Sequence, residues 1–431
     1  MRPPKNTAQF DCYHPKMRAT LIVVAGLALL AGSCGGSTRA NVQSTRQTTA
    51  EAATVKPGDV STPSSEPTTS TRACGQPGSD ERAPIAQSVS FIDGRNAFLL
   101  GRQGNRAGVF ECAYLARTTD GGRTWTKLPD TGLMLPRGES AVQDSGTVSG
   151  IEFATPQRGW LYGPGLWATH NGGLTWQLES RASAVNSVVV SGDDGWAFES
   201  VPCGSGRCAE ISVASEANGW QWKPLSAQPP AIPGLEPVKL LRPTRRHALI
   251  SFVDSRGAFG NGALVATEDG GVTWAVTGAL PRGRLGLTDV AAFGEHDIWL
   301  TYGGQPATIM QAKEIFHSDD GGGAWQLIAD AGIAGNGGQL NNLPVSGYIP
   351  RITISSPTAL FLSLGRSTLH ASFDAGRTWA PVIDDEGARG GADSVQVLGF
   401  GDALHSFATS SSVRWVTADG GHTWLRVTLP G

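Results

Sequence analysis

One eight-residue phrase recurs seven times in this chain of 431 residues. Its consensus is Ser/Thr-x-Asp-x-Gly-x-Thr-Trp, and the copies occupy residues 118–125, 169–176, 215–222, 267–274, 318–325, 372–379 and 417–424. The closing tryptophans follow one another at a spacing of about 50 residues, which is typical of a supersecondary unit that is built repeatedly. This repeat constrains the fold much more strongly than it constrains the chemistry.

The phrase itself predicts a tight hairpin turn between two strands. Asp followed by Gly-Gly between strand-like runs is a strong hairpin signal. The carboxylate can accept backbone N–H groups a few residues on, and glycine supplies the positive φ. The tryptophan buries a large ring under the turn. We therefore interpret the following residues as structural: Asp120, Trp125, Asn171, Trp176, Trp222, Asp269, Trp274, Asp320, Trp325, Asp374, Trp379, Asp419 and Trp424.

The alternative for these aspartates is a role in calcium binding or catalysis. Two copies argue against it, because Asn171 and Ala217 replace the aspartate while the glycine and tryptophan persist. A catalytic group would also not be needed seven times around one protein. We favour the structural interpretation.

The phrase resembles the Asp-box, or BNR repeat, of sialidases, xyloglucanases, sortilin-type receptors and the photosystem II assembly-factor family. The resemblance covers roughly residues 85–431 and implies a β-propeller with each phrase between the third and fourth strand of a blade. Gly159-Trp160 and Gly195-Trp196 upstream of two copies strengthen the similarity to the assembly factors, whose unit also occurs seven times. Bacterial relatives exist outside photosynthesis, and nothing else in the chain points to a photosynthetic role.

Each copy also follows two further strand-like runs, such as residues 87–92 and 96–100 in the first unit. Four strands in each of seven units predict an all-β fold, a seven-bladed β-propeller with 28 strands. The 57 glycines and 26 prolines suit such a turn-dense chain. We assign the propeller to residues 74–431.

The first 34 residues predict export. Arg18 precedes an apolar run over residues 21–31, which is too short to span a bilayer and is typical of a signal peptide. The run ends at Ala31-Gly32-Ser33-Cys34, which resembles a bacterial lipobox and implies lipid attachment at Cys34. We expect a lipoprotein on the outer side of the cytoplasmic membrane, with simple secretion as the alternative. Met17 is a better translation start than Met1.

Residues 35–73 predict a disordered tether between this anchor and the propeller. The segment is rich in Ser, Thr and Pro and has no aromatic residue. It cannot bury enough apolar surface to fold.

Four cysteines remain beyond Cys12 and Cys34, and an even number in an exported protein favours disulfides. Cys203 and Cys208 bracket a short loop, so we predict that they pair and that Cys74 pairs with Cys112. A metal site is the alternative, but no His or Cys pair lies nearby in sequence to complete it. We expect no metal and no cofactor. The net charge of −3 without a basic stripe argues against nucleic acid as a partner. We expect a monomer.

The connections of a four-stranded blade alternate between two faces. The repeat turns share one face with the first-to-second-strand turns, so the longer loops lie on the other, where binding usually occurs. We therefore predict a binding face that contains Arg102, Arg256, Gln305, Asn341, Asn342, Tyr348 and Arg351.

Two functions of different classes remain. The first is a non-enzymatic binding or assembly scaffold for a protein or glycan at the cell surface, and we favour it. The second is a glycoside hydrolase of sialidase type, for which the resemblance implies six blades, three arginines, a Tyr–Glu pair and an early Arg-Ile-Pro. This chain has seven repeats and Arg82-Ala83-Pro84 instead. Three arginines converging on a tyrosine would favour the hydrolase. The carboxyl candidates for that activity are Glu111, Glu139, Asp144, Glu199, Asp254, Glu314 and Asp385.

Overall fold

The computed structural model describes residues 84–103, 110–136, 147–179, 185–204, 206–254, 262–281, 285–308, 310–332, 339–383 and 394–431. All of them belong to one compact unit, residues 69–431. The predicted signal peptide, Cys34, the tether and Cys74 lie outside the described residues.

The described strands form seven antiparallel sheets, called blades 1–7 here, each built from consecutive strands. Blade 1 contains β1 (Ile85–Phe91), β2 (Ala97–Gln103), β3 (Phe110–Thr118), β4 (Thr126–Lys127) and β5 (Met134–Pro136). Blade 2 contains β6 (Gly150–Phe153), β7 (Gly159–Tyr162), β8 (Leu166–Thr169) and β9 (Gln177–Leu178). Blade 3 contains β10 (Ser187–Ser191), β11 (Asp194–Cys203), β12 (Gly206–Ser215) and β13 (Lys223–Pro224).

Blade 4 contains β14 (Glu236–Leu241), β15 (Ala248–Val253), β16 (Gly262–Thr267) and β17 (Ala275–Val276). Blade 5 contains β18 (Gly286–Phe293), β19 (Asp297–Gly303), β20 (Lys313–Ser318), β21 (Gln326–Ala331) and β22 (Gln339–Leu340). Blade 6 contains β23 (Tyr348–Ser356), β24 (Ala359–Gly365), β25 (His370–Ser372) and β26 (Ala380–Pro381). Blade 7 contains β27 (Gln396–Phe400), β28 (Ser406–Thr409), β29 (Arg414–Thr417) and β30 (Leu425–Val427).

The first strands of neighbouring blades meet around a ring. Contacts run from β1 to β6, β10 and β14 in turn, and from β18 through β23 and β27 back to β1. An ion pair between Lys239 of β14 and Asp289 of β18 spans the remaining boundary. The predicted seven-bladed β-propeller is therefore confirmed. The described part of the chain has two strands beyond the predicted 28, because β5 and β22 extend blades 1 and 5. β22 lies in the connection between blades 5 and 6.

The repeat tryptophans hold neighbouring blades together. Each ring packs against large apolar side chains at the boundary with the preceding blade, as Trp125 does against Phe407, with ring centroids 5.4 Å apart. The same arrangement brings together Trp222 with Trp160, Trp274 with Trp196, and Trp424 with Phe361. Since these rings fill the gaps between blades, the sequence period of the tryptophans is also the period of the core.

Aliphatic side chains from the blade-to-blade connections complete the same boundaries. Each connection between consecutive blades places at least one such side chain in the cluster between two blades: Val148, Val185, Leu235, Leu285, Leu343 and Ile383. Leu429, after the last strand, has the same role between blades 7 and 1. These residues stand in irregular sequence at varying distances from the tryptophans, which is why periodicity alone did not single them out.

The repeat turns have the hydrogen bonding predicted for them. In the first copy Asp120 Oδ1 accepts the N–H of Thr124 at 2.9 Å, and Thr118 Oγ1 accepts the N–H of Gly122 at 3.0 Å. The N–H of Gly121 donates to the carbonyl of Arg95 in the first-to-second-strand turn, at 2.9 Å. This bond recurs in other blades and places both kinds of turn on one face of the propeller.

The third copy folds differently. Residues Glu216–Asn218 form a 3₁₀ turn, in which the Asn218 side chain accepts the N–H of Ser215 at 3.0 Å. Trp220 takes a positive φ of 62° and lies near the guanidinium of Arg158, 5.3 Å from its ring centroid. No helix in the described ranges has the length and apolarity that a membrane span requires.

The carboxylates of the repeat turns are expected to make the folded protein less stable at low pH. Burial raises the pKa of Asp419, but hydrogen bonds from Thr423 outweigh it and hold the value at about 2, below the ordinary 3.8. The stability from this group is therefore present above about pH 4 and is lost as the pH falls toward 2. We expect Asp419→Asn to flatten this loss, because Asn171 keeps the turn bond to the N–H of Thr175 without a charge.

Melting temperatures of the wild type and of Asp419→Asn between about pH 5 and pH 2 would measure the effect. Asp130→Asn, at an exposed position after β4, is the control and should follow the wild type. Equal acid slopes for the wild type and Asp419→Asn would refute the assignment.

Candidate functional site

Described residues line three neighbouring cavities on the face opposite the repeat turns, which is called the loop face here. One of about 380 Å³ lies between blades 7 and 1, one of about 300 Å³ lies across blades 4 to 6, and one of about 230 Å³ lies between blades 6 and 7. All three open where the first strands begin and the second strands end. The alternation of connections thus separates them from the repeat turns, as the sequence predicted.

Shared residues join the three cavities. Arg351 lines both the 300 Å³ and the 230 Å³ cavity. Ser394 and Gln396 line both the 230 Å³ and the 380 Å³ cavity. The result is one arc across blades 4, 5, 6, 7 and 1, which we call the rim and define by Lys239, Asp289, Tyr348, Arg351, Ser394, Gln396 and Arg102.

Irregular strand pairing at the start of the first strands shapes this rim. The register shifts between Pro237 and Lys239 in β14 and between Leu287 and Asp289 in β18. Comparable shifts occur in β1, β23 and β27. A bulge re-aims the side chains next to it, and in β14 it leaves Val238 51% exposed at the edge of the 300 Å³ cavity.

The carboxylate of Asp289 connects blades 4, 5 and 6 at this rim. Its Oδ1 accepts the ammonium of Lys239 at 2.7 Å and the N–H of Val290 at 2.9 Å. Its Oδ2 accepts the N–H of Ile352 in β23 at 3.1 Å. The carboxylate therefore neutralises Lys239 and fixes the backbone next to Arg351.

The positive charge of Arg351 has no compensating group among the described residues. Its side chain is exposed and has no hydrogen-bond or ion-pair partner among the described residues. Tyr348 lines the same 230 Å³ cavity, and the guanidinium of Arg366 lies 5.7 Å from the centroid of the tyrosine ring. The N–H of Arg366 donates to Ser394 Oγ at 3.2 Å, which joins this corner to blade 7. The Arg366 guanidinium thus lies beside Tyr348, and Arg351 lines the same cavity as that tyrosine.

Three of the seven predicted binding residues lie on this rim. Arg102 lines the 380 Å³ cavity, with its Nε 3.3 Å from Glu111, and Tyr348 and Arg351 line the 230 Å³ cavity. Gln305, Asn341 and Asn342 line none of the three cavities; the Asn341 side chain donates to the carbonyl of Ile328 instead. Arg256 lies outside the described residues.

Sequence reasoning missed Lys239, Asp289, Ser394 and Gln396. The available signal was a charged residue interrupting the apolar first strand of a blade, as Lys239 and Asp289 do. Such a residue contacts the next blade only because the ring closes, and this contact cannot be deduced from local spacing.

The described geometry does not assemble a sialidase-like centre. No carboxylate is among the described residues that line the cavity of Tyr348. Glu111 pairs with Arg102, and Glu199 is buried. Glu314 lies beside Asp330 on adjacent strands, where burial and then the charge of Asp330 raise its pKa. Of the other carboxyl candidates, Glu139, Asp144 and Asp385 lie outside the described residues.

An acidic group lies at the boundary between blades 1 and 2. Ser90 Oγ accepts the N–H of Phe153 at 2.9 Å, and burial raises the pKa of Glu152 to about 8 against the lowering effect of the Ser90 hydrogen bond. Burial, and then the charge of Glu152, also raises the pKa of Tyr162. The Tyr162 ring covers Gly150 so closely that an added Cβ would lie 2.2 Å from its Cζ. This environment therefore favours the protonated form of Glu152 more than water does.

A disulfide between Cys203 and Cys208 closes the tip of the β11–β12 hairpin, with the two Cα atoms 5.7 Å apart. Cys112 is also disulfide-bonded, and its partner lies outside the described residues because the other described cysteines bond each other. Cys74, its predicted partner, lies there too.

Among the residues that the structure describes, no group of three or more His, Cys, Asp or Glu side chains is placed to hold a metal ion.

Comparisons with known proteins give information about the fold of this chain. The sequence matches no protein-family model and no curated protein. Among solved structures it is similar to YCF48 bound to a D1 peptide, with 18% identity and a TM-score of 0.51 over 79% of this chain and 95% of that one. It is also similar to YCF48 from Cyanidioschyzon merolae, with 15% identity and a TM-score of 0.51 over 78% and 96% of the two chains. At these identities the likeness shows a shared propeller fold.

Proposed function

We propose that this protein is a non-enzymatic binding scaffold whose rim holds an extended acidic segment of a protein partner. The observation that carries the proposal is Arg351, an exposed guanidinium that has no ion-pair partner among the described residues and lines two of the three joined cavities. The remaining parts of the proposal rest on the sequence. The repeats are Asp-box repeats, and the chain is exported and anchored through Cys34.

The charge balance of the rim favours an anionic ligand. Lys239 is neutralised by Asp289, and Arg102 by Glu111. Arg351 has no such partner in the described part of the chain, so the described rim is locally positive on a chain whose net charge is −3. A carboxylate can pair with a guanidinium through two parallel hydrogen bonds, which makes arginine well suited to recognising acidic groups.

The shape of the rim favours an extended ligand. The three joined cavities follow an arc across five blades, and their lining is rich in Ser, Thr and Gln side chains. Such side chains can accept hydrogen bonds from the N–H groups of an extended backbone and donate to its C=O groups. The similar YCF48 structure was solved with a D1 peptide, which supports a peptide as the ligand class.

Charge reversal at Arg351 tests this proposal. We expect a displayed library of random peptides to yield acidic sequences on the wild type, and Arg351→Glu to weaken their binding by about tenfold or more, as loss of one charge-assisted contact implies. Fluorescence anisotropy with a labelled selected peptide measures the affinity. Arg377→Glu makes the same change on the repeat turn of the same blade and should leave the affinity unchanged.

Two results would contradict the proposal. One is a selection that yields no acidic peptides, or peptides that bind Arg351→Glu as tightly as the wild type. The other is hydrolysis of a fluorogenic sialoside above background, which would support the hydrolase alternative.

A further inference from the structure

Lys313, the first residue of β20, has no solvent exposure. Its ammonium donates to four backbone carbonyls, those of Gln311 at 3.0 Å, Pro344 at 3.0 Å, Val345 at 2.9 Å and Ser346 at 3.1 Å. No carboxylate is among these acceptors. The group thus lies inside a cage of carbonyl oxygens.

A buried ammonium without a carboxylate is costly, so it needs a compensating arrangement. Burial lowers the pKa of Lys313 to about 8, which still leaves the group mainly charged at neutral pH. An ammonium has three protons and is satisfied only by acceptors placed around it. The backbone carbonyls accept these protons. Because three of the carbonyls belong to consecutive residues, 344–346, the ammonium also fixes the loop that follows β22.

Other contacts dock the same loop against blade 5. The N–H of Gln311 donates to the carbonyl of Val345 at 3.2 Å, and Met310 forms an isolated bridge with Ser346. Leu343 is completely buried in the cluster between blades 5 and 6. Ser346 lies two residues before Tyr348, where β23 begins and the rim residues of blade 6 follow.

We propose that Lys313 is a positioning residue of the rim: its carbonyl cage fixes residues 344–346 and thereby the placement of Tyr348 and Arg351. This inference rests on the proposed function of the rim as a binding site. It assigns a role to a side chain that does not touch the ligand, since Lys313 lines none of the three cavities.

Two measurements test the inference on the full-length protein with Lys313→Met and Lys313→Arg. Methionine keeps a long apolar chain but cannot donate, whereas arginine keeps the charge and the donors. In Lys313→Met we expect amide hydrogen exchange over residues 341–352 to become at least about tenfold faster, as loss of buried hydrogen bonds implies. Affinity for a selected acidic peptide should fall by a similar factor, and Lys313→Arg should retain more of both properties.

The outcomes separate this inference from the proposed function. Unchanged exchange over residues 341–352 in Lys313→Met would overturn the role of the cage. Faster exchange with unchanged peptide affinity would overturn the link to the rim. If the wild type binds no acidic peptide, the proposed function is wrong. In that case the hydrogen exchange of residues 341–352 still shows whether Lys313 fixes the loop. Exchange in blade 2, residues 150–178, should stay unchanged and reports whether the fold is intact.

Discussion

Trp299→Ala is expected to lower the free energy of unfolding by about 3–5 kcal/mol, the range for removing a buried tryptophan from a packed core. Trp299 lies in β19 and is 1% exposed. Its ring stacks on His317, with centroids 4.1 Å apart, and it belongs to the same cluster as Trp379 of blade 6. A Cβ on Gly376 would lie 3.3 Å from Trp299 Cζ3, so the ring also touches the neighbouring repeat turn.

The loss is large because the cavity cannot collapse. The space is bounded by the stiff strands of blade 5 on one side and by the repeat turn of blade 6 on the other. Chemical denaturation followed by tryptophan fluorescence and circular dichroism measures the change. Val272→Ala, at a repeat-turn position that is 63% exposed, is the control and should change stability by less than about 0.5 kcal/mol. A loss for Trp299→Ala no larger than that of the control would disprove the packing role.

Glu152→Gln is expected to stabilise the protein at neutral and alkaline pH. In the folded protein the pKa of Glu152 is about 8, whereas the ordinary pKa of a glutamate is 4.5. Between these values the folded state binds more protons than the unfolded state, so stability falls as the pH rises. Glutamine has the same shape without the proton equilibrium. We expect a gain of about 1–3 kcal/mol at pH 7, since the pKa difference sets the upper bound.

The pH profile distinguishes this mechanism from a general packing effect. The difference in stability between Glu152→Gln and the wild type should be small near pH 4.5 and should grow until about pH 8. Denaturation midpoints across this interval measure it. Glu216→Gln, an exposed carboxylate in the 3₁₀ turn, should show no such growth. A constant or falling difference would contradict the raised pKa.

These two positions differ in how visible they are in the sequence. Trp299 lies between Ile298 and Leu300 and follows the pattern of Trp160 and Trp196, so its burial could be predicted. Glu152 lies between Ile151 and Phe153 in a strand that looks half-exposed by alternation. Its environment comes from Ser90 of the neighbouring blade, 62 residues earlier in the chain, and no local pattern contains that contact.

The same contrast holds for the rim. Tyr348, Arg351 and Arg102 were predicted because the alternation of connections decides which face a loop lies on. Asn341 and Gln305 lie on loops that meet the same criterion, yet they line none of the three cavities. In the loop of Asn341 the reason is that β22 and the bond from Asn341 to Ile328 turn the chain back against blade 5. The face is set by counting strands, whereas the cavity depends on how each loop packs.

The sequence by itself determined the number of blades, the position of each hairpin turn and the face that carries the longer loops. These are local properties, since a turn needs glycine and a capping oxygen within eight residues and a blade needs four strands in order. Only the tertiary structure decided that Lys239, Asp289 and Arg351 form one rim and that Lys313 lies in a carbonyl cage beneath it. Those contacts join consecutive blades or a strand to a later loop, and they exist because tertiary packing brings together side chains that lie tens of residues apart in the chain.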